Sequence, residues 1–232
     1  MISGTFHAVF PMGDPSRVGE ARRHAAQLAQ DCGFDEVAAG RLAIVVTELA
    51  TNLVRHAANG RLWLSARTAR GEVEVIAVDE GPGIADVERS LGDGFSTGGT
   101  PGTGLGAVRR LAGQFDLHSG LAQGTVVVAR VRAAAAAQDE SAASVGAVSL
   151  TAPGERVCGD GWGFVLDGNR TAMMVADGLG HGPDAAEAAE VALQAFGEEP
   201  MADPRQLLQR THQALRRTRG AAVMVLQADA GA

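Results

Sequence analysis

The 232-residue sequence contains no lysine; its 20 Lys-plus-Arg positions are all arginine. That absence excludes two routes to phosphate chemistry. A Walker A loop needs Gly-Lys-Ser/Thr, and the eukaryotic-type protein kinase fold sets a strand lysine on the phosphates. Any phosphoryl chemistry here must use another scaffold. Cysteine is scarce. Cys32 and Cys158 sit in different halves without metal-ligand spacing, so they read as ordinary thiols in a reducing compartment. No apolar run reaches the roughly 18 residues that span a membrane. The first residues, Met-Ile-Ser-Gly-Thr-Phe, lack a basic stretch followed by an apolar core. No secretory signal is visible, and a cytoplasmic location is expected. Residues 1–132 carry 13 Arg against 14 Asp and Glu, and residues 133–232 carry 7 against 13. Neither half is a basic surface suited to nucleic acid.

Residues 133–144 have no large apolar side chain and read as a linker between two domains, 1–132 and 145–232. In the first, a strand is expected around 3–10. A helix follows over 14–31, with Asp14 as N-cap and Pro15 at its first position. A second helix over about 35–57 places Leu42, Val45, Val46, Leu49 and Leu53 on one apolar stripe. Strands near 61–68 and 72–79 alternate, with Val73, Val75 and Ala77 on one face. A Gly/Ser/Thr-rich loop covers 92–103. A helix over about 104–113 and strands near 115–119 and 124–131 complete the domain. This order is an α+β sandwich, with helices on one face of a mixed, mainly antiparallel sheet.

Three segments carry chemistry: Glu48-Leu-Ala-Thr-Asn52, Asp79-Glu-Gly81-Pro-Gly83 and Gly102-Thr-Gly104-Leu-Gly106. Each alone is weak, but their order within about sixty residues points to nucleotide binding. Glu48 and Asn52, four apart, share one helix face off the apolar stripe. An amide there can hold Mg²⁺ against phosphate oxygens, and a carboxylate one turn earlier can deprotonate an attacking hydroxyl. The pair also reads as a solvated polar face, and His56, one turn on, reads as structural. Asp79 ends an apolar strand, where it can accept from an adenine amino group. Gly81 and Gly83 let the backbone approach a flat ligand. A plain strand-ending turn fits the same residues. Gly98, Gly99, Gly102, Gly104 and Gly106, with Ser96, Thr97, Thr100 and Thr103 between them, precede a helix from Leu105. Backbone N–H groups there suit phosphate oxygens. A Rossmann turn fits poorly, because its glycines follow a strand directly; a plain flexible loop remains the rival.

On these residues the chain resembles the GHKL (Bergerat) ATP-binding fold of histidine kinases and anti-sigma-factor kinases. Asp79-Glu-Gly-Pro-Gly-Ile-Ala-Asp86, Asp93-Gly-Phe-Ser-Thr-Gly-Gly99 and Gly104-Leu-Gly-Ala-Val-Arg-Arg-Leu111 are most similar to its RsbT branch of switch kinases. The resemblance covers residues 5–132. It implies ATP with Mg²⁺ on Asn52, Glu48 as base and Asp79 on adenine. It also implies a pocket shaped by Gly81, Gly83, Gly102, Thr103, Gly104, Leu105 and Gly106, with Thr125 near the adenine edge. The implied substrate is a serine or threonine of a STAS-domain or stressosome-type partner.

The second half holds Val157-Cys-Gly-Asp160, a strand-like 162–166, and Thr171-Ala-Met-Met-Val-Ala-Asp177-Gly-Leu-Gly-His181-Gly running into a helix over about 183–196. Asp160, Asp177 and the Gly178 carbonyl, at the ends of neighbouring strands, can hold divalent metals; simple turns fit the same residues. The arrangement resembles the SpoIIE/RsbX group of PPM-type phosphatases, which implies Mg²⁺ or Mn²⁺ and a partial α/β/β/α sandwich. No later Asp-Gly or Asp-Asp pair follows, so the acid cluster is incomplete and weak or absent phosphatase activity is expected. An exposed sheet edge is expected as well.

The expected function is therefore an ATP-dependent serine/threonine protein kinase of a partner-switching module, joined to a truncated phosphatase half. One alternative is a nucleotide-gated module that grips a sigma factor or an activator; a sigma factor or a downstream phosphatase is also an expected partner. The other is a phosphatase with an ATP-binding regulatory domain.

Overall fold

The computed structural model describes residues 2–3, 7–92, 104–134, 145–152 and 154–229. It divides into two units, Ala8–Ala137 and a second made of Met1–His7 with Gln138–Ala232. The single strand expected over 3–10 is two. Strand β1 (Ile2–Ser3) pairs with Gly163 and Phe164 of the second unit, while β2 (Ala8–Pro11) joins the first sheet. Between them, the His7 N–H donates to the Ser149 carbonyl at 2.7 Å. Alternation marks a strand but does not name its neighbour.

In the first unit, helix α1 (Ser16–Asp31) begins beyond Pro15, with the Asp14 carboxylate accepting the Ser16 N–H at 2.7 Å. Helix α2 (Glu36–His56) is capped by Asp35, which accepts the Ala38 N–H at 2.7 Å. Strands β3 (Arg61–Arg67) and β4 (Glu72–Asp79) follow. A short helix that the periodicity does not announce, α3 (Val87–Ser90), is capped by Asp86. Helix α4 (Leu105–Leu111) leads into β5 (Gln114–Gly120) and β6 (Gly124–Arg132). The sheet order is β2-β3-β4-β6-β5, and every ladder in it is antiparallel rather than mixed.

The core forms where the apolar stripe of α2 meets one face of this sheet. Leu42, Val45, Val46, Leu49 and Leu53 pack with Leu62, Leu64, Val73, Val75, Ala77, Val127, Ala129 and Val131. By length and composition α2 would suit a membrane span, but its apolar stripe lies buried in this core. The opposite sheet face carries a charge lattice. The Arg67, Glu72 and Glu74 side chains are 1%, 0% and 2% exposed. Glu74 pairs with Arg67 at 3.0 Å and with Arg130, and Glu72 pairs with Arg132.

The second unit adds strands β7 (Asp160–Asp167), β8 (Arg170–Gly178) and β9 (Ala221–Asp229). With β1 they form a sheet of antiparallel order β1-β7-β8-β9. Helices α5 (Pro183–Glu198) and α6 (Pro204–Ala214) bury Ala188, Ala189, Ala192, Phe196 and Leu207 against Ala172, Met174 and Ala176. The small residues of α5 let its backbone come close; a Cβ on Gly178 would stand 2.0 Å from the Ala185 carbonyl oxygen. Among the described residues β9 is an outer strand, and Met224 and Leu226 on it are exposed.

Candidate nucleotide site and a second acidic pair

The end of β4 is tied to the end of α2. The Glu80 N–H donates to the Ala58 carbonyl at 2.9 Å, and the Asn59 amide donates to the Glu80 carboxylate at 2.8 Å. These contacts set the turn after Asp79 beside the C-terminal half of the helix that carries Glu48 and Asn52. Both of those side chains are half-buried, as is Asp79, while His56 at the last turn is exposed. One Asp79 carboxylate oxygen accepts the Gly81 N–H at 2.7 Å. Thr125 stands directly opposite Asp79 in the β4–β6 ladder.

Helix α4 packs on α2, with Gly104 as its N-cap, Leu105 half-buried and Gly106 buried. Gly102, Thr103 and the glycines before them lie outside the described residues, as do positions 135–144 of the expected linker.

Two further glycines hold the site together by close approach. Gly83 has φ +78°, and a Cβ there would stand 2.2 Å from the Gly120 carbonyl oxygen. Gly124 has φ +84°, and its Cβ would stand 2.0 Å from the Asp79 carbonyl oxygen. Gly124→Ala adds left-handed strain to that clash, so it is expected to cost at least about 2 kcal/mol in the first unit. Thermal melting checks this; an unchanged melting temperature would show that the turn yields freely.

Ser119 is the residue that sequence reasoning missed. Its hydroxyl accepts the Ile84 N–H at 2.8 Å and lies 2.9 Å from the Thr125 hydroxyl. It ties the loop after Asp79 to the β5–β6 hairpin. The only signal in the sequence was its place five residues before Gly124-Thr125, which shows nothing until the strand order is known.

In the second unit, Asp160 and Asp177 face each other across the β7–β8 ladder. Both side chains are exposed; the slight desolvation that Asp160 has there, then the Asp177 carboxylate and a hydrogen bond with it, holds the Asp160 carboxyl above its ordinary range. Gly178 continues from Asp177, and its N–H donates to the Gly159 carbonyl at 3.0 Å. Among the described residues no group of three His, Cys, Asp or Glu side chains gathers as a metal cluster. A raised folded-state pKa favours the protonated form. The stability it contributes is full below the ordinary value of 3.8 and is lost as pH rises through the raised one. At neutral pH the two carboxylates repel. Asp160→Asn is therefore expected to raise the melting temperature of this unit at pH 7 without divalent cation, and to flatten its dependence on pH. A lower melting temperature would show that the charge is paired elsewhere.

The first unit is thus an α+β sheet-and-helix layer in which the Asp79 turn meets the glycine-cornered β5–β6 hairpin and the end of the helix that carries Glu48 and Asn52. Residues 12–131 match the family model described as histidine kinase-like ATPase domain, and the chain belongs to that family. Over 111 residues it is 37% identical to the serine/threonine-protein kinase RsbT of Bacillus subtilis (strain 168), covering 47% of this chain and 84% of RsbT. A structure of the bacterial stressosome is 35% identical with a TM-score of 0.33, over 33% of this chain and 40% of its own. RsbX in complex with magnesium is 28% identical with a TM-score of 0.34, over 36% and 42%. The chain spans less than half the length of these two.

Proposed function

We propose that the first unit is an ATP- and Mg²⁺-dependent serine/threonine protein kinase of a partner-switching module, acting on a STAS-domain protein. The observation that carries this reading is the likeness to RsbT over most of that kinase's length. The local chemistry suits it. Asn52 offers a hard amide oxygen of the kind Mg²⁺ takes, and Asp79 keeps one carboxylate oxygen uncommitted to Gly81. Mg²⁺ on Asn52 would draw negative charge from the triphosphate. Asp79 and Thr125 hold the adenine amino edge, Gly81, Gly83, Gly104 and Gly106 shape the walls, and Glu48 takes the proton of the partner's hydroxyl. That oxygen bonds to the γ-phosphorus as the bond to the β–γ bridging oxygen breaks, and ADP leaves. Transfer of label from γ-labelled ATP to a serine or threonine of a purified STAS-domain protein tests the reading. Absence of ATP binding by the intact chain would overturn it.

The facing pair Asp160 and Asp177 favours a second reading for the other unit, a partial PPM-type phosphatase fold with Mg²⁺ or Mn²⁺ on these carboxylates and the Gly178 carbonyl. Two carboxylates do not offset two divalent ions. Release of phosphate from a phosphorylated STAS protein should be weak or absent, and brisk metal-dependent release would reverse that expectation.

A further inference from the structure

Asp79, Thr125 and Ser119 stand in one row across β4, β6 and β5, Asp79 opposite Thr125 and Thr125 opposite Ser119. Strand alternation puts this row on the same face as Ala77, Val127 and Leu117, the face covered by helices. The Ser119 hydroxyl has one proton and two lone pairs to place. The Ile84 N–H takes one lone pair at 2.8 Å. The Gly124 carbonyl, 3.2 Å away, has no proton to give, so Ser119 donates to it. The Thr125 hydroxyl is 2.9 Å away. All three contacts become hydrogen bonds in one arrangement only, in which Thr125 donates to Ser119. Thr125 then has only lone pairs left to offer a ligand. Its neighbour Asp79, a carboxylate, also only accepts.

We propose that Ser119 is a specificity-determining residue. By holding the Thr125 proton, it turns the purine edge of the site into two adjacent acceptors. Such an edge fits an exocyclic amine, which supplies two N–H groups. It rejects the 6-carbonyl of an oxo-purine, which leaves the same acceptors facing an oxygen. The inference rests on the nucleotide reading above and adds to it the choice of base.

The test is calorimetric titration of the full chain with Mg·ATP and with Mg·ITP, whose base carries a 6-carbonyl and no amine. The intact protein should prefer ATP. Ser119→Ala frees the Thr125 proton to meet the carbonyl, so the ATP-to-ITP preference should fall by roughly tenfold, as expected when one unpaired acceptor is relieved. Ser119→Thr keeps a hydroxyl and should restore most of the preference. A purely structural Ser119 would weaken both nucleotides alike and leave the ratio unchanged, which overturns the proposal while the nucleotide reading stands. Should Ser119→Ala fail to fold, Thr125→Val removes the same lone pairs and should lower the ratio too; an unchanged ratio there is equally fatal. Binding of neither nucleotide by the intact protein removes the nucleotide reading and the proposal with it.

Discussion

Glu48→Ala is expected to slow phosphoryl transfer to a partner hydroxyl by about 10²–10⁴-fold, the usual contribution of a placed general base. ATP binding should barely change. Glu48 lies one helical turn before Asn52, half-buried and off the stripe of Leu42, Val45, Val46, Leu49 and Leu53 that holds α2 to the sheet. Its removal takes no side chain from that core cluster. Glu48→Gln keeps the shape but cannot take a proton, so it should be as slow as the alanine variant. Single-turnover transfer of labelled phosphate, beside titration with Mg·ATP, separates the two effects. Transfer at the full rate by either variant would remove Glu48 from the chemistry. Joint loss of binding and transfer would assign it to structure instead.

Glu74→Ala is expected to destabilise the first unit by about 3–5 kcal/mol, the range for breaking a buried ion pair from one side. Glu74 is 2% exposed and faces Arg67, itself 1% exposed, at 3.0 Å. Burial pushes the Arg67 guanidinium down from its ordinary range, and the Glu74 carboxylate is the leading influence that holds it up. Without Glu74, that guanidinium and the Arg130 guanidinium lie 3.6 and 3.9 Å from Glu72. A melting temperature lower by on the order of 10–20 °C follows for a unit of this size. Replacing Arg67, Glu72, Glu74, Arg130 and Arg132 together with apolar residues of similar volume should cost far less, because no charge of the lattice is then stranded. Circular dichroism during chemical unfolding reads both. A loss below about 1 kcal/mol for Glu74→Ala would place the pair among ordinary surface salt bridges.

Much of the first unit was legible because its signals are local. Five aliphatic residues at helical spacing marked α2, and alternation over Val73, Val75 and Ala77 marked β4. Asp79 announced itself as an acid at the end of an apolar strand followed by two glycines. The charge lattice was not legible. Arg67, Glu72, Glu74, Arg130 and Arg132 carry charge, which by itself says nothing of burial, yet three of them are buried. Their partners lie up to 60 residues away in the chain, as for Arg132 and Glu72. Ser119 escaped for the same reason. The strand order β4-β6-β5 puts β6 between the acid and the serine, and only then does Thr125 stand opposite both. The opening residues were misread because pairing belongs to the partner strand: Ile2 and Ser3 meet Phe164 and Gly163, while Ala8 meets Leu64.

The chain alone determined which residues can do chemistry and which segments coil or extend. Those properties depend on side-chain type, helical and strand periods, and turn stereochemistry, all written within a few consecutive positions. The folded arrangement decided which strand lies beside which, where charge is buried, and which hydroxyl lies against which oxygen. Those outcomes come from register between distant segments, and register is set when whole faces bury together.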